Sequence, residues 1–265
     1  MEATEPIPPV PPESSRSRPS PLTGLRIAVA FLTRLPVGRL PAATGADLAA
    51  AAPWFPVIGL AVGGIAAAVR VGAGALLAPA PSTILALLAA MLVTGGLQED
   101  GLAGVADSLG AHADRAGRLD ILRDPRVGSS GALALGVALL FAFATLTPLT
   151  ESHFARAVIA TGALARFTPL LQSRLSAPAR LDGAGVLLRT SDAALAIAMF
   201  IAVVGAMVIG QPGPGAVALG IALLMTLGAA LGVRRVFGGT TAATFGAGAK
   251  LAELACYAAF AAFWS

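Results

Sequence analysis

From Trp54 onward the chain is a succession of long apolar runs joined by short polar or basic connections. Four runs carry no charge: Ser82 to Leu97 (16 residues), Gly131 to Leu149 (19), Ala193 to Gly210 (18) and Pro214 to Val233 (20). Each approaches the ~20 residues that an α-helix needs to cross the hydrocarbon core of a bilayer. Three more runs include charge: Trp54 to about Leu77 with Arg70, Phe154 to Ser173 with Arg156 and Arg166, and Ala249 to Trp264 with Lys250 and Glu253. The pattern predicts an all-α, polytopic membrane bundle of about seven transmembrane helices. Before them, Gly24 to Pro36 holds only a six-residue apolar run between arginines, which predicts an interfacial amphipathic helix stopped by Pro36. Residues 1 to 22 contain seven prolines, four serines and no apolar period, the composition of a disordered tail. The organisation is then a tail over 1–22 and one transmembrane domain over 23–265.

Composition sharpens this reading. Of 265 residues, 56% are hydrophobic and 12% charged, half the charge of an ordinary soluble domain; both a soluble globule and a disordered chain are excluded. One cysteine, Cys256, and two histidines, His112 and His153, leave no disulfide framework and no zinc-ligand spacing. Any metal must be held by carboxylates.

The +4 net charge is an orientation signal and not a nucleic-acid footprint. Of the 18 basic residues, 14 fall at the N-terminus (Arg16, Arg18, Arg26, Arg34, Arg39) or in three alternate loops (Arg115, Arg118, Arg123, Arg126; Arg174, Arg180, Arg189; Arg234, Arg235). The opposite connections, Pro79 to Pro81, Thr150 to His153 and Gln211 to Gly213, hold none. The positive-inside rule puts the N-terminus and the three long loops in the cytoplasm. A small transporter shares the hydropathy but would line several spans with polar groups, whereas these charges gather in loops.

Six of the 14 acids, Glu99, Asp100, Asp107, Asp114, Asp120 and Asp124, crowd into one cytoplasmic loop at about 98–130. If the preceding helix continues, Asp100 and Asp107 lie ~700° apart and share a face. Asp120 and Asp124 repeat the arrangement at i, i+4, beside Arg123, Arg126 and the run Gly128-Ser129-Ser130-Gly131. Carboxylates facing guanidiniums suit a magnesium ion with phosphate oxygens. On the residues alone, this reading and a solvated loop both stand.

The other charged groups have similar pairs of readings. Arg166, deep in an apolar run, either serves a ligand or pairs with Glu253 or a backbone carbonyl. Arg70 and Arg156 at the outer edge and Lys250 at the inner edge are expected to snorkel. His112 reads as solvated and His153 as a loop residue.

The run Gly95-Gly96-Leu97-Gln98-Glu99-Asp100-Gly101-Leu102-Ala103-Gly104-Val105-Ala106-Asp107, followed by Arg118-Leu119-Asp120-Ile121-Leu122-Arg123-Asp124-Pro125-Arg126-Val127-Gly128, closely resembles the signature of the cobalamin synthase family. These are integral membrane enzymes also called adenosylcobinamide-GDP ribazoletransferases. Phe31 to Val37, Trp54 to Leu60, Ala163 to Arg166 with Ala179-Arg180, and Gly238-Gly239-Thr240-Thr241 with Gly246-Ala247 match further family motifs in order.

The resemblance implies a multi-pass protein of the bacterial inner membrane that joins adenosylcobinamide-GDP to α-ribazole or its 5'-phosphate with loss of GMP. It further implies magnesium as cofactor, contact with membrane lipid and other cobalamin-assembly enzymes, and no nucleic-acid partner. Residue by residue, it points to Asp100, Asp107, Asp124, Arg123 and Arg126 as catalytic. Asp100, Asp107, Asp124 and Asp120 are the metal ligands it suggests, and Glu99, an acid at a position where the family has an apolar residue, is a further candidate ligand that compensates in part for the missing acids. Arg166, Arg180, Gly128, Gly238, Gly239 and Thr241 are the substrate contacts.

The chain departs from the pattern in four places. The family reads His-Leu-Asp-Gly-Leu-Ala-Asp where this chain has Gln98 to Gly104, and Thr-Gly-Asp where it has Thr241-Ala242-Ala243. It has a glutamate at the position of Lys250 and an apolar residue at that of Glu99. A corrinoid-binding relative without turnover also fits these losses.

The arginine split predicts a labelling pattern. Cysteine introduced at Ser129 should react with an impermeant thiol reagent only when the cytoplasmic face is opened, and one at Gln211 only from outside; reaction of both from one side overturns the topology.

Overall fold

The computed structural model describes residues 20–38, 40, 44–179, 188 and 190–264. Among these, helices α1 (Pro21–Leu32) and α2 (Gly45–Ala51) precede α3 (Phe55–Gly74), α4 (Pro79–Thr94), α5 (Leu97–Gly110), α6 (Arg115–Ile121) and α7 (Ser129–Leu146). Then come α8 (Glu151–Leu175), α9 (Asp192–Val204, running on into a π turn at Gly205–Ile209), α10 (Pro212–Val236) and α11 (Ala242–Trp264). Extended pairing among the described residues is limited to one parallel bridge, Pro178 to Thr240.

Each of the seven apolar runs forms a helix. Among the described residues, five helical stretches are long and apolar enough to cross a membrane, and the α4–α5 pair makes a sixth if counted as one span. The seventh run is α11, 23 residues long, which carries Lys250 and Glu253. The all-α, multi-pass architecture stands. On α7 and α9, Leu133, Val137, Leu140, Phe141, Ile197, Met199 and Phe200 are exposed, an outer face that suits lipid rather than water.

Helix α8 is the buried axis, and α3 packs along it at very short range. A Cβ on Gly59 would collide with the Gly162 carbonyl, one on Gly162 with the Gly59 carbonyl, and one on Gly63 with the Val158 carbonyl. Gly59 and Gly63 are four residues apart, the small-residue spacing that lets two membrane helices approach backbone to backbone. Pro169 lies inside α8 and has no N–H for the Ala165 carbonyl. The Thr168 hydroxyl donates to that carbonyl at 2.9 Å instead, so the helix continues.

Between α4 and α5 the chain turns by 88°. Gly95 and Gly96, with φ of 68° and 70°, make the turn, a left-handed conformation that glycine adopts without a Cβ clash. A side chain at Gly95 would also meet the Arg34 guanidinium.

The two kinds of connection occupy opposite ends of the bundle. At the end whose connections carry no arginine, His153 stacks on Trp264 with ring centres 4.9 Å apart, and Arg156 of α8 donates from Nη1 to the Ile209 carbonyl at 3.1 Å. At the other end, the Arg34 N–H donates to the Val93 carbonyl at 2.8 Å, Arg115 Nε donates to the Phe237 carbonyl at 2.8 Å, and Arg174 pairs with Asp192.

Several expectations change. Helix α1 begins at Pro21 with the Ser20 hydroxyl accepting from the Thr23 N–H, so the helix enters the expected tail; the part of the tail at 1–19 lies outside the described residues. Ile27, Ala28 and Leu32 of α1 are buried against the bundle. The loop expected at 98–130 is mostly helical, as α5 and α6, because the glycine turn restarts a helix. Arg70 does not snorkel: it is 4% exposed, with Nη1 donating to Ser82 Oγ at 2.9 Å and its guanidinium 5.6 Å from the Phe154 ring centre. His153 is a packed residue rather than a bare loop side chain.

The α3–α8 contact yields a stability test. Gly162→Ala should lower the unfolding midpoint in detergent by the equivalent of about 1–3 kcal/mol, the cost of overpacking. Gly64→Ala, where a Cβ meets nothing within 4 Å, should leave it unchanged or raise it. Equal effects of the two substitutions would show that the close approach is not required.

Candidate active site

Helix α5 crosses α11 where each has a glycine. A Cβ on Gly101 would stand 2.6 Å from the Ala243 carbonyl oxygen and 2.8 Å from Gly246 Cα, so only hydrogen fits. Successive helical residues are rotated by ~100°, so this crossing turns Glu99 inward, where it is buried, and leaves its neighbour Asp100 exposed. Gly104 and Asp107 follow Asp100 on one face, as the spacing implied.

Asp107 bridges from α5 to the start of α7. Its Oδ2 accepts the Gly128 N–H and its Oδ1 the Gly131 N–H, both at 2.7 Å. The N-cap residue of α7 is Gly128, which has no side chain to satisfy the free N–H groups of the first turn. Asp107 supplies the missing acceptor and places its negative charge at the positive end of the helix. A Cβ on Gly128 or Gly131 would collide with this carboxylate. The backbone N–H groups of these two glycines, of which Gly128 was expected to contact substrate, are thus engaged by Asp107.

Asp124 and Arg126 face each other instead of a common centre. Arg126 Nε donates to Oδ1 at 2.9 Å and Nη2 to Oδ2 at 2.6 Å. Those hydrogen bonds lower the Asp124 carboxyl to about 2, so it stays ionised through the physiological range. The Arg126 guanidinium is otherwise in solvent. Asp120 and Arg123 are also exposed.

Glu99 lies apart from the loop acids. It accepts from Lys250 Nζ at 2.8 Å, Lys250 also donates to Glu253 at 2.7 Å, and Arg166 Nη1 donates to the second Glu253 oxygen at 3.2 Å. All four residues are less than a tenth exposed. Arg166 therefore has the Glu253 partner that its position in the span allowed. Lys250, expected to snorkel, is buried, because two carboxylates satisfy it within the bundle. The i, i+3 spacing of Lys250 and Glu253 inside an apolar run was the visible signal of this cluster; the link to Glu99 was not visible, since it depends on the turn before α5.

Gly238, Gly239 and Thr241 build the entry to α11. Gly238 has φ of 73° and lies against the Arg115 guanidinium, while Gly239 packs on the backbone of Ala177–Ala179. Thr241 and Thr244 cap the helix reciprocally, each backbone N–H donating to the other's hydroxyl at 2.8 and 3.3 Å. Arg180 lies outside the described residues.

The structure thus brings Asp100, Gly104, Asp107, Gly128 and Gly131 to one region and takes Glu99 and Arg166 into another. Among the described residues no three acids, histidines or cysteines gather at metal-binding distance. Seven residues of helix separate Asp100 and Asp107 by about 10 Å along the axis, too far for both to ligate one magnesium ion. Magnesium commonly takes one or two protein carboxylates and completes its shell with water and substrate phosphate. The donor set fits that arrangement through Asp100, which has no side-chain partner among the described residues, and does not form a cage of several acids.

A family model described as cobalamin-5-phosphate synthase matches residues 24–261. Among curated proteins, an adenosylcobinamide-GDP ribazoletransferase of Azorhizobium caulinodans is 36% identical over 246 residues, 88% of this chain and 93% of the relative. One of Shewanella woodyi is 35% identical over 249 residues, covering 89% and 94%. One of Bradyrhizobium diazoefficiens is 36% identical over 251 residues, covering 91% and 94%. No solved structure matches the chain. With the match spanning α1 to α11, the chain belongs to the cobalamin-5-phosphate synthase family of cobalamin biosynthesis.

Proposed function

We propose that this protein joins adenosylcobinamide-GDP to α-ribazole, or α-ribazole 5'-phosphate, at the cytoplasmic face of the bacterial inner membrane. In the reaction a ribazole oxygen forms a bond to the cobinamide-side phosphorus, the bond to GMP breaks, and GMP leaves with the electron pair. The observation that carries this reading is the junction of α5 and α7. There Asp107 ties the first turn of α7 to the face that exposes Asp100, at the arginine-bearing end of the bundle.

Phosphoryl transfer needs positioning and neutralisation of phosphate charge more than a protein nucleophile. Asp107 fixes the α7 start, and Arg123 and Arg126 stand exposed in the adjoining turn, where guanidiniums can take phosphate oxygens two at a time. Arg126 reaches a phosphate by exchanging its bond to Asp124. Magnesium, where bound, would be held by Asp100 and would neutralise charge on the phosphate oxygens. Asp100 otherwise serves to orient what approaches that face.

One observation favours a second reading, corrinoid binding without turnover. A Cβ built on Gly104 lies 4.0 Å from the Ala243 Cβ, so two positions at which the family pattern carries acids face each other here and both are empty of charge.

GMP release by the purified protein in detergent, with adenosylcobinamide-GDP, α-ribazole and magnesium, separates the readings. Asp100→Asn should reduce release by more than about a hundredfold, beyond the usual effect of losing a second-shell group. It should shift stability by no more than about 0.5 kcal/mol. Asp107→Asn should lose activity and also about 1.5–3 kcal/mol of stability, since an amide cannot accept both charge-assisted bonds. Parental activity in Asp100→Asn removes that residue from the site.

Restoring the two facing acids tests the second reading. A Cβ at 104 meets only Leu122 at 3.8 Å and Ala243 at 4.0 Å, so the first atom of an aspartate side chain at 104 meets only ordinary van der Waals contacts, and Gly104→Asp with Ala243→Asp is the variant to make. The double variant should raise GMP release and lower the magnesium concentration required. If it neither turns over faster nor binds more metal by calorimetry, positions 104 and 243 do not belong to the site.

A further inference from the structure

The buried cluster of Glu99, Lys250, Glu253 and Arg166 plays no part in the reaction outlined above, and its geometry is unusual for a set of ion pairs. Two carboxylates from different helices, α5 and α11, converge on one nitrogen: Lys250 Nζ lies 2.8 Å from Glu99 Oε1 and 2.7 Å from Glu253 Oε1. The other Glu253 oxygen is held by Arg166 from α8 at 3.2 Å. That bond orients the Glu253 carboxylate and leaves Oε1 for the shared centre. A cavity adjoins the cluster, lined by Thr94, Gln98 and Tyr257 as well as by apolar residues of α3, α4, α7 and α8. Carboxylate, amide and hydroxyl oxygens are the donors preferred by magnesium, calcium and manganese.

We propose that Lys250 is a tethered cation seated in a divalent-metal site, with Glu99 and Glu253 as the ligand pair. Two acids and two bases cancel in the native cluster, which suits a site from which water is excluded and where an unpaired charge is costly. Removing the ammonium alone leaves Glu99, Glu253 and Arg166 with a net charge of about −1, a pair of converging carboxylates and the volume of the lysine side chain. A divalent ion takes carboxylate oxygens at about 2.0–2.6 Å. Each oxygen therefore has to close by only a few tenths of an ångström from its ammonium distance. In the native chain the seat is filled by a covalently attached charge. A metal could enter only by driving that ammonium into apolar surroundings, so this cluster holds its charge balance without metal. The inference does not depend on the transferase reading, because none of the four cluster residues takes part in the reaction outlined above.

Manganese(II) alone is the probe, read by electron paramagnetic resonance and by the unfolding midpoint in detergent. Lys250→Ala should bind one equivalent more than the parent, with a midpoint that rises as manganese is added. Lys250→Ala/Glu99→Gln and Lys250→Ala/Glu253→Gln should lose that equivalent and the rise. If Lys250→Ala folds and binds no extra manganese, the proposal fails. If it can be recovered folded only when manganese is present, the proposal is supported. If it cannot be recovered even then, the carboxylate pair does not accept a metal and the proposal is overturned. Extra manganese retained by both double variants places the ion elsewhere and overturns it as well.

Discussion

Close approach of backbones at glycine sets the rest of this structure. Inside a bilayer apolar side chains gain little from meeting one another, since lipid is as apolar as they are, and association rests on packing and on the few polar contacts available. Gly59, Gly63 and Gly162 bring α3 onto α8, and Gly101 and Gly246 bring α5 onto α11. The second contact has the larger consequence. With backbone against backbone, Glu99 comes within hydrogen-bonding distance of Lys250, and Asp100, one helical step of about 100° away, is left at the surface.

Charge inside the bundle is handled by the same economy of distance. Arg166 and Lys250 are each satisfied by carboxylates from neighbouring helices. Arg70, with no carboxylate bonded to it among the described residues, relies on Ser82 and the face of Phe154. A single substitution in the four-membered cluster leaves a buried charge without its counterion, and that is far more costly than removing both partners together. The cluster therefore ties α5, α8 and α11 into one unit, and the position of Asp100 depends on the contacts that its neighbour Glu99 makes.

Much of this was legible in the sequence because it is local. The apolar runs, the alternation of arginine-rich and bare connections, the shared face of Asp100 and Asp107 and the pairing available to Arg166 all follow from spacing along one helix or from the cost of a charge in lipid. What was not legible depends on direction in space. An 88° turn at Gly95-Gly96 decides which way α5 points, and periodicity carries no information about that angle. So Glu99 and Asp100, adjacent in sequence and expected in one metal site, are turned about 100° apart, one buried and the other exposed. Asp107 was expected to hold a metal, and instead accepts two N–H groups of a helix that starts 22 residues later, because Gly128 cannot cap it.

The departures of this chain from its family's pattern are paired in space. Gly104 and Ala243, where the pattern has two acids, face each other across the α5–α11 crossing. Glu99 and Lys250, where it has an apolar residue and a glutamate, are bonded to each other. Each pair is electrically balanced within itself: one is neutral against neutral, the other acid against base. An aspartate at 104 alone would face a methyl group, and Lys250 without Glu99 would change the charge of a site closed to water. The four positions carry no net charge here, against three negative charges in the pattern, which alters where a cation can sit.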